Sequence, residues 1–232
     1  MTAHPEKKRD YQKELDAILA ALPPAATPEQ KPALLLHACC APCSSYVIEY
    51  LSRYFAITIY YYNPNIHPRE EYERRLTELK TFLTAFPLAV QEAVRLVVAD
   101  YEPEDYFAAT NVRAEPALQT EPERGERCRR CYEFRMKKAR EYAAAHGFDC
   151  FTTTLSISPH KDADKINAIG EALQGGRTTL PLESAAYLPA NFKKRGGFLR
   201  STQLSAEYGL WRQDYCGCVF SQRQSSSHTV TK

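Results

Sequence analysis

The feature that most constrains the fold of this chain is an alternation of short apolar runs with amphipathic segments, which begins at Pro32. Apolar runs at residues 33–36 and 57–62 predict two strands, and the second run has the β-branched and aromatic residues that favour a pleated surface. Residues 94–99 and 149–155 predict two more strands. Strands that alternate with helices build a parallel sheet, so we predict an α/β fold with a doubly wound, mainly parallel sheet.

Apolar periodicity and helix-end signals predict the helices between these strands. One helix is expected near residues 44–54, where Pro42 or the two serines suit the first turn, and another near residues 201–208. Ligands bind outside the carboxyl ends of parallel strands, so the loops that follow the first, second and fourth strands are expected to face one crevice. Two further helices have apolar faces, formed by Tyr72, Leu76, Leu79 and Leu83 and by Ile166, Ile169 and Leu173.

The chain of 232 residues is long enough for one main globular domain. We predict a mobile or loosely docked helical arm over residues 1–31, an α/β domain with a small C-terminal addition over 32–221, and a flexible tail over 222–232. The charged N-terminal segment has no continuous apolar run, and no other run has the length of a membrane span. We therefore expect a cytoplasmic protein without a membrane partner.

Seven of the eight cysteines fall in three groups that are far apart in the sequence. The eighth, Cys150, lies in a predicted buried strand and is expected to be a core residue. Thiolates are soft ligands that select iron–sulfur clusters, zinc or copper(I), and one such site takes up to four of them, so seven exceed one ordinary site. The three groups are Cys39, Cys40 and Cys43, then Cys128 and Cys131, which precede a predicted helix, and finally Cys216 and Cys218.

The spacing within these groups leaves two kinds of site open. Neighbouring side chains such as those of Cys39 and Cys40 are expected to diverge, which suits a cluster with separate iron atoms better than one zinc ion. A structural zinc site remains the alternative. Cys216 and Cys218, with a flexible glycine between them, can close a small redox-active disulfide or can act as further metal ligands.

The charge distribution neither requires nor excludes a nucleic-acid partner. The formal net charge is only +2, but residues 123–140 contain eight Lys or Arg against three Glu, beside the second cysteine group. Lys193, Lys194, Arg195 and Arg200 add a second basic stretch, and such cations either contact phosphates or are ordinary solvated charges. Three consecutive tyrosines at 60–62 either stack on an unpaired base or pack in the core.

Three histidines, His37, His67 and His160, sit in or beside strand-end loops. Each is a candidate for metal ligation or proton transfer, or else a packed residue that bonds to the backbone.

Six segments follow one another from about His37 to Ser221. They are HACCAPC, YYNPNIHPREEYERR, GERCRRCYEFRMKKA, FTTTLSISPHKDADKIN, YLPANFKKRGGF and RSTQLSAEYGLWRQDYCGCVFS. This ordered set resembles the QueH-type epoxyqueuosine reductases. The resemblance covers most of the chain, and it rests on the whole set of segments rather than on one C-x-x-C.

The resemblance implies a Rossmann-like domain, similar to the adenine nucleotide alpha-hydrolases, with residues 32–221 as an iron–sulfur catalytic domain. The implied activity is the two-electron reduction of epoxyqueuosine to queuosine at the wobble position of tRNA, the last step of queuosine biosynthesis. The partners would be tRNA carrying epoxyqueuosine and an external electron donor. Position by position, Cys39, Cys40, Cys128 and Cys131 match the ligands of a 4Fe-4S cluster, Cys216 and Cys218 match the redox-active pair, and Cys43 matches a position that suggests a ligand to an additional mononuclear iron.

Two other functions account for part of the sequence. An ATP-dependent tRNA-modifying enzyme on a similar fold needs a Gly/Ser-rich phosphate loop after the first strand, where this chain has the first cysteine group. A zinc-stabilised tRNA-binding protein accounts for the thiols and arginines but leaves Cys216 and Cys218 without a role. Metal analysis separates zinc alone from iron with acid-labile sulfide.

Overall fold

A computed structural model describes residues 9–25, 27, 30–182 and 184–222 of the chain. The strands are β1 (Ala33–His37), β2 (Ala56–Tyr61), β3 (Arg95–Val98), β4 (Cys150–Thr153) and β5 (Ala186–Tyr187). The helices are α1 (Tyr11–Ala21), α2 (Ala41–Leu51), α3 (Arg69–Ala85), α4 (Pro87–Gln91), α5 (Pro103–Thr110), α6 (Pro116–Thr120), α7 (Glu126–Ala145), α8 (Ala163–Gln174) and α9 (Gly197–Glu207). A 3-10 turn, Thr154–Ile157, follows β4.

The five strands form one sheet in the order β3-β2-β1-β4-β5, and every neighbouring pair is parallel. In its centre Leu35 of β1 lies between Thr58 of β2 and Phe151 of β4. The predicted α/β fold with a parallel sheet is confirmed. The strand order reverses direction between β1 and β4, as in doubly wound sheets that bind ligands at this point.

The side chains of β1 alternate between two hydrophobic cores, one on each face of the sheet. Leu34 and Leu36 pack in the core that is completed by α1, α2, α3 and α9. Leu35 packs in the opposite core, with Tyr132 and Met136 of α7 and with α8. Helices therefore cover both faces, which explains why nearly all residues of the central strands β1, β2 and β4 are buried.

Several ends of strands and helices differ from their predicted positions, and the differences affect the candidate site. The fourth strand ends at Thr153, two residues early, because the chain turns into the 3-10 turn there. Helix α2 begins at Ala41 rather than near residue 44, since Pro42 occupies its first turn, and Cys43 therefore lies inside the helix. Helix α9 begins at Gly197, four residues before the predicted start.

The described part of the predicted N-terminal arm is helical and packed. Leu15 and Leu19 of α1 are buried in the main core, and Arg9 forms an ion pair with Glu171 of α8. These residues are therefore not loosely docked. Residues 1–8, 26 and 28–29 of the arm, and residues 223–232 of the predicted tail, lie outside the described part of the chain. Among the described helices, none has the length and hydrophobicity needed to cross a membrane.

Candidate active site

The loops after β1 and β4 meet at the point where the strand order reverses. The imidazole Nδ1 of His37, the last residue of β1, lies 2.8 Å from Thr153 Oγ1 at the end of β4. Its Nε2 lies 3.2 Å from the Tyr62 carbonyl oxygen, and burial lowers the pKa of His37 to about 3. The neutral ring donates to the carbonyl and accepts from the threonine hydroxyl. His37 is thus a packed residue that holds three strand ends together, not a metal ligand.

The first cysteine group forms a compact triad beside this junction. Cys39, Cys40 and Cys43 have all three sulfur atoms within 4.8 Å of one another, and the Cys39 and Cys40 sulfurs are 3.6 Å apart. The expectation that these neighbouring side chains diverge is wrong, because the chain turns from strand to helix at Cys40, the N-cap of α2, and the two sulfurs converge. Sulfurs around one tetrahedral ion are separated by about 3.8 Å, as metal–sulfur bonds of about 2.3 Å require, so the triad suits a single ion as well as a cluster.

The triad lies in a positively charged surrounding that favours thiolate. Hydrogen bonds from Cys40 and Cys43 lower the pKa of Cys39 well below its usual value, and the nearby charges of Arg135 and Lys161 act in the same direction. The hydrogen bond with Cys39 raises the pKa of Cys40 to about 12. The hydrogen bonds within the triad therefore favour the thiolate at Cys39 and disfavour it at Cys40.

The second cysteine group lies on α7, not before a helix as predicted. The Glu121 carboxylate accepts hydrogen bonds of 2.8 Å from the backbone N–H groups of Glu126 and Arg127, so α7 has already begun at Cys128. Cys128 and Cys131 are one turn apart on the same face and are buried. Burial raises the pKa of each thiol. Among the described residues, neither belongs to the group of sulfurs within 4.8 Å that the triad forms.

The third cysteine group, Cys216 and Cys218, lies in the C-terminal part of the domain. Cys216 and Cys218 are free thiols whose sulfurs lie 3.1 Å and 3.4 Å from Ser221 Oγ. A hydrogen bond from Cys218 lowers the pKa of Cys216 well below its usual value, and the charge of Lys161 adds to this effect. The intervening Gly217 has φ +100°, a conformation that side chains disfavour.

A cavity of about 210 Å³ connects the first and third cysteine groups. Its lining includes four cationic side chains, those of Arg75, Arg135, Lys161 and Arg212, against two carboxylates, those of Glu123 and Asp214. Cys39, Cys40, Cys43 and Cys216 also line it. The cavity therefore exposes thiols to a bound molecule in a surrounding with excess positive charge.

Arg75 and Arg135 are buried cations that we did not predict, although their spacing along the helices places both on buried helix faces. Each is 2% exposed. Arg75 lies on α3 between Tyr72 and Leu79, which form its predicted apolar face. Arg135 follows Cys128 and Cys131 on α7 at the spacing of one helical face. An arginine on a buried face implies a partner for its charge: Arg75 pairs with Glu71 at 2.6 Å, and Arg135 donates a hydrogen bond to Asn63 Oδ1.

Comparison with known proteins decides the family of this chain. The family model described as epoxyqueuosine reductase QueH matches residues 34–224. The chain belongs to the QueH family. Epoxyqueuosine reductase QueH of Streptococcus pyogenes serotype M1 is 41% identical over 200 residues, 86% of this chain and 74% of that protein. The QueH protein of Haemophilus influenzae is 40% identical over 194 residues, which cover 83% of this chain and 73% of its own.

QueH of Staphylococcus epidermidis is 39% identical over 191 residues, 82% of this chain and 76% of that protein. The suspected membership of the QueH family is thereby confirmed. The matched region encloses all three cysteine groups and the cavity between them.

Most of the other candidate residues of this QueH family member are packed in the protein interior. Cys150 is fully buried, as predicted for a core residue. Tyr60, Tyr61 and Tyr62 are all at least 94% buried, so these rings belong to the two cores and are not open to a base. His67 is packed against Phe107, whereas His160 lines the cavity.

The basic stretch on α7 is largely compensated within the chain. Arg129 pairs with Glu126 and Glu133, and Arg130 pairs with Glu115 and Glu126. In the second stretch, Arg195 pairs with Asp16, and Arg200 pairs with Glu49. These ion pairs reduce the positive charge that the sequence offers to phosphates.

Proposed function

We propose that this chain reduces epoxyqueuosine to queuosine at the wobble position of tRNA, the last step of queuosine biosynthesis. The observation that carries the proposal is the meeting of the Cys39 triad and Cys216 in one cavity of a QueH family member. The QueH proteins of three bacteria named above are epoxyqueuosine reductases by name. The activity belongs in the cytoplasm, where thiols are kept reduced.

We further propose that Cys39, Cys40, Cys128 and Cys131 bind a 4Fe-4S cluster and that Cys43 binds an additional iron. Soft thiolates suit both groups, and the buried charges of Arg75, Arg135 and Lys161 offset the negative charge that thiolates and a cluster bring. Such a group supplies electrons and a Lewis acid for the departing oxygen when it is bound. The parallel sheet and its strand order support a relationship with the adenine nucleotide alpha-hydrolase fold.

The proposed role of Cys216 and Cys218 follows from the electron balance of the reaction. Removing the oxygen of an epoxide as water consumes two electrons and two protons and leaves a carbon–carbon double bond. Oxidation of two thiols to a disulfide releases two electrons and two protons, so one turnover of this pair matches one substrate. An external electron donor then reduces the disulfide. The low pKa of Cys216 keeps one thiol ready as thiolate.

The test is anaerobic purification with quantitation of iron, zinc and acid-labile sulfide, followed by turnover of tRNA that carries epoxyqueuosine. We expect iron with sulfide and the conversion of epoxyqueuosine to queuosine. Zinc alone, in protein without reductase activity, would support a zinc-stabilised tRNA-binding protein instead. The close spacing of the triad sulfurs is compatible with a zinc ion as well. Turnover by protein that contains no iron would contradict the cluster and leave the reductase proposal standing.

A further inference from the structure

One wall of the cavity carries an exposed aromatic ring. Among the described residues, five large hydrophobic side chains are clearly exposed, and Phe198 is the aromatic one of these. It is also the one that lines the cavity. Phe198 is 36% exposed, whereas Phe192 nearby is 1% exposed in the core. Phe198 therefore offers an aromatic surface to a molecule bound among the thiols and cations of this cavity.

The position of this ring is fixed by the backbone beneath it. Phe198 is the second residue of α9, after Gly197. A Cβ on Gly197 would lie 2.0 Å from the Phe192 carbonyl oxygen and 2.4 Å from the Tyr46 ring, so only glycine permits this close approach. The start of α9 is therefore held against its neighbours, and Phe198 extends from a rigid position.

One side of the ring is occupied by a cation that is itself held in place. The Arg212 guanidinium carbon lies over the Phe198 ring, 5.2 Å from its centroid. Its Nη1 donates to Ser205 Oγ at 3.1 Å and to the Ser201 carbonyl oxygen at 3.3 Å. The guanidinium thus lies against the ring, and both side chains line the cavity.

We propose that Phe198 is the stacking platform for the modified base at the wobble position, which it holds while the epoxide of that base faces the thiols. This inference rests on the proposed function and adds the residue that recognises the base. Enzymes that act on a nucleobase commonly extrude it and stack it against aromatic side chains. The excess of cations over carboxylates in the lining suits a polyanion, which favours RNA over an uncharged ligand.

The test compares binding of anticodon stem-loop RNAs to the wild type, Phe198→Ala, Phe198→Trp and the control Leu199→Ala. Leu199 is 62% exposed and does not line the cavity. With epoxyqueuosine at the wobble position, we expect Phe198→Ala to weaken binding about tenfold, since the variant loses the stacking of one base. The Phe198→Trp and Leu199→Ala variants should bind like the wild type. The salt dependence should not change, because a phenyl ring neutralises no phosphate.

A second RNA, abasic at the wobble position, identifies the nucleotide involved. The wild type and Phe198→Ala should bind this RNA equally well. If the tenfold difference persists with the abasic RNA, Phe198 contacts another nucleotide and the assignment is wrong. Unchanged binding of the complete RNA by Phe198→Ala would also overturn the assignment. A wild type that binds through Phe198 but does not reduce the base would contradict the proposed reductase activity alone.

Discussion

The guanidinium of Arg75 donates a hydrogen bond of 3.2 Å to the backbone carbonyl oxygen of Cys216, 141 residues away in the sequence. The same arginine pairs with Glu71, at 2.6 Å, and is buried. Its Nη2 is buried without a partner among the described residues. Arg75 therefore joins α3 to the third cysteine group and brings positive charge close to the triad, which the effect of Cys40 on its pKa also indicates.

Replacing Gly217 by valine should disable the proposed redox pair, Cys216 and Cys218, without unfolding the protein. Gly217 has φ +100°, and a Cβ there would lie 2.9 Å from Arg75 Nη1 and 2.9 Å from Ile66. We expect Gly217→Val to lower multiple-turnover reduction about a hundredfold, since misplacement by about 1 Å has such an effect on positioned groups. Steady-state kinetics and thermal unfolding measure the two properties. Gly147→Val, at a glycine of positive φ with nothing within 4 Å of its added Cβ, is the matched control and should retain activity.

Serine substitutions at Cys216 and Cys218 should separate an electron relay from a metal site. A dithiol that passes electrons is needed for repeated turnover but not for assembly of the cofactor. We therefore expect Cys216→Ser and Cys218→Ser to retain most of the iron and sulfide and to lose multiple turnover. Colourless, iron-depleted protein from either variant would make these cysteines metal ligands.

Alanine at Cys39, Cys40, Cys128 or Cys131 should lower the iron and sulfide content together. Each substitution removes a proposed cluster ligand, and activity should fall with the cluster. Cys43→Ala, by contrast, should remove about one iron and no sulfide. The control is Cys150→Ala, which removes a buried thiol from β4 outside the site and should leave the metal content unchanged. Loss of all iron in Cys43→Ala would place Cys43 among the cluster ligands.

Removing the charge of Lys161 should raise the pKa of Cys216. Burial disfavours the Lys161 ammonium, but Cys216 and Tyr132 nearby favour it, and in turn the ammonium lowers the pKa of the Cys216 thiol. In Lys161→Met, less Cys216 is therefore thiolate at a given pH. Alkylation of metal-free protein, followed at Cys216 by mass spectrometry across pH, should show a midpoint at higher pH than in the wild type. Lys165→Met, which removes a half-exposed lysine of α8 paired with Asp162, should not shift it.

The two basic stretches should differ in their contribution to tRNA binding. Arg129 and Arg130 are engaged by carboxylates, so their joint replacement by glutamine should change the salt dependence of binding little. Joint replacement of Lys193 and Lys194 by glutamine should weaken tRNA binding. The slope of log affinity against log salt should fall by about one for each phosphate that these lysines neutralise. Equal slopes in both double variants and the wild type would show that neither stretch binds phosphate.

The sequence predicts four of the five strands, because burial in a sheet covered on both faces produces short apolar runs that can be recognised locally, whereas the two-residue strand β5 has no such run and was not predicted. It also predicts which cysteines matter, since their grouping is a local property. Local patterns do not determine distances between segments. The convergence of Cys39 with Cys40 depends on where α2 begins, and Pro42 favours that start by its fixed φ. The position of Cys128 inside α7 depends on where α7 begins, and there the Glu121 carboxylate accepts a hydrogen bond from the backbone N–H of Glu126.

The charges of Arg129 and Arg130 illustrate the other limit. The sequence shows a basic run, but Glu115, which compensates Arg130, comes from a segment that only folding brings near. A count of charges along the chain therefore overstates the field at the surface.

The placement of the three cysteine groups also has a consequence for biosynthesis. The triad at residues 39–43 leaves the ribosome early, whereas residues 216–218, which close the cavity, follow after the sheet has been completed at β5. A partly synthesised chain therefore presents the first thiols, without their covering segment, to oxidants and to adventitious metals. Since the triad and the pair Cys128 and Cys131 are all translated before residue 132, a metal can bind there before Cys216 reaches the cavity, and in iron-poor cells we expect mismetallated protein to accumulate among newly made chains.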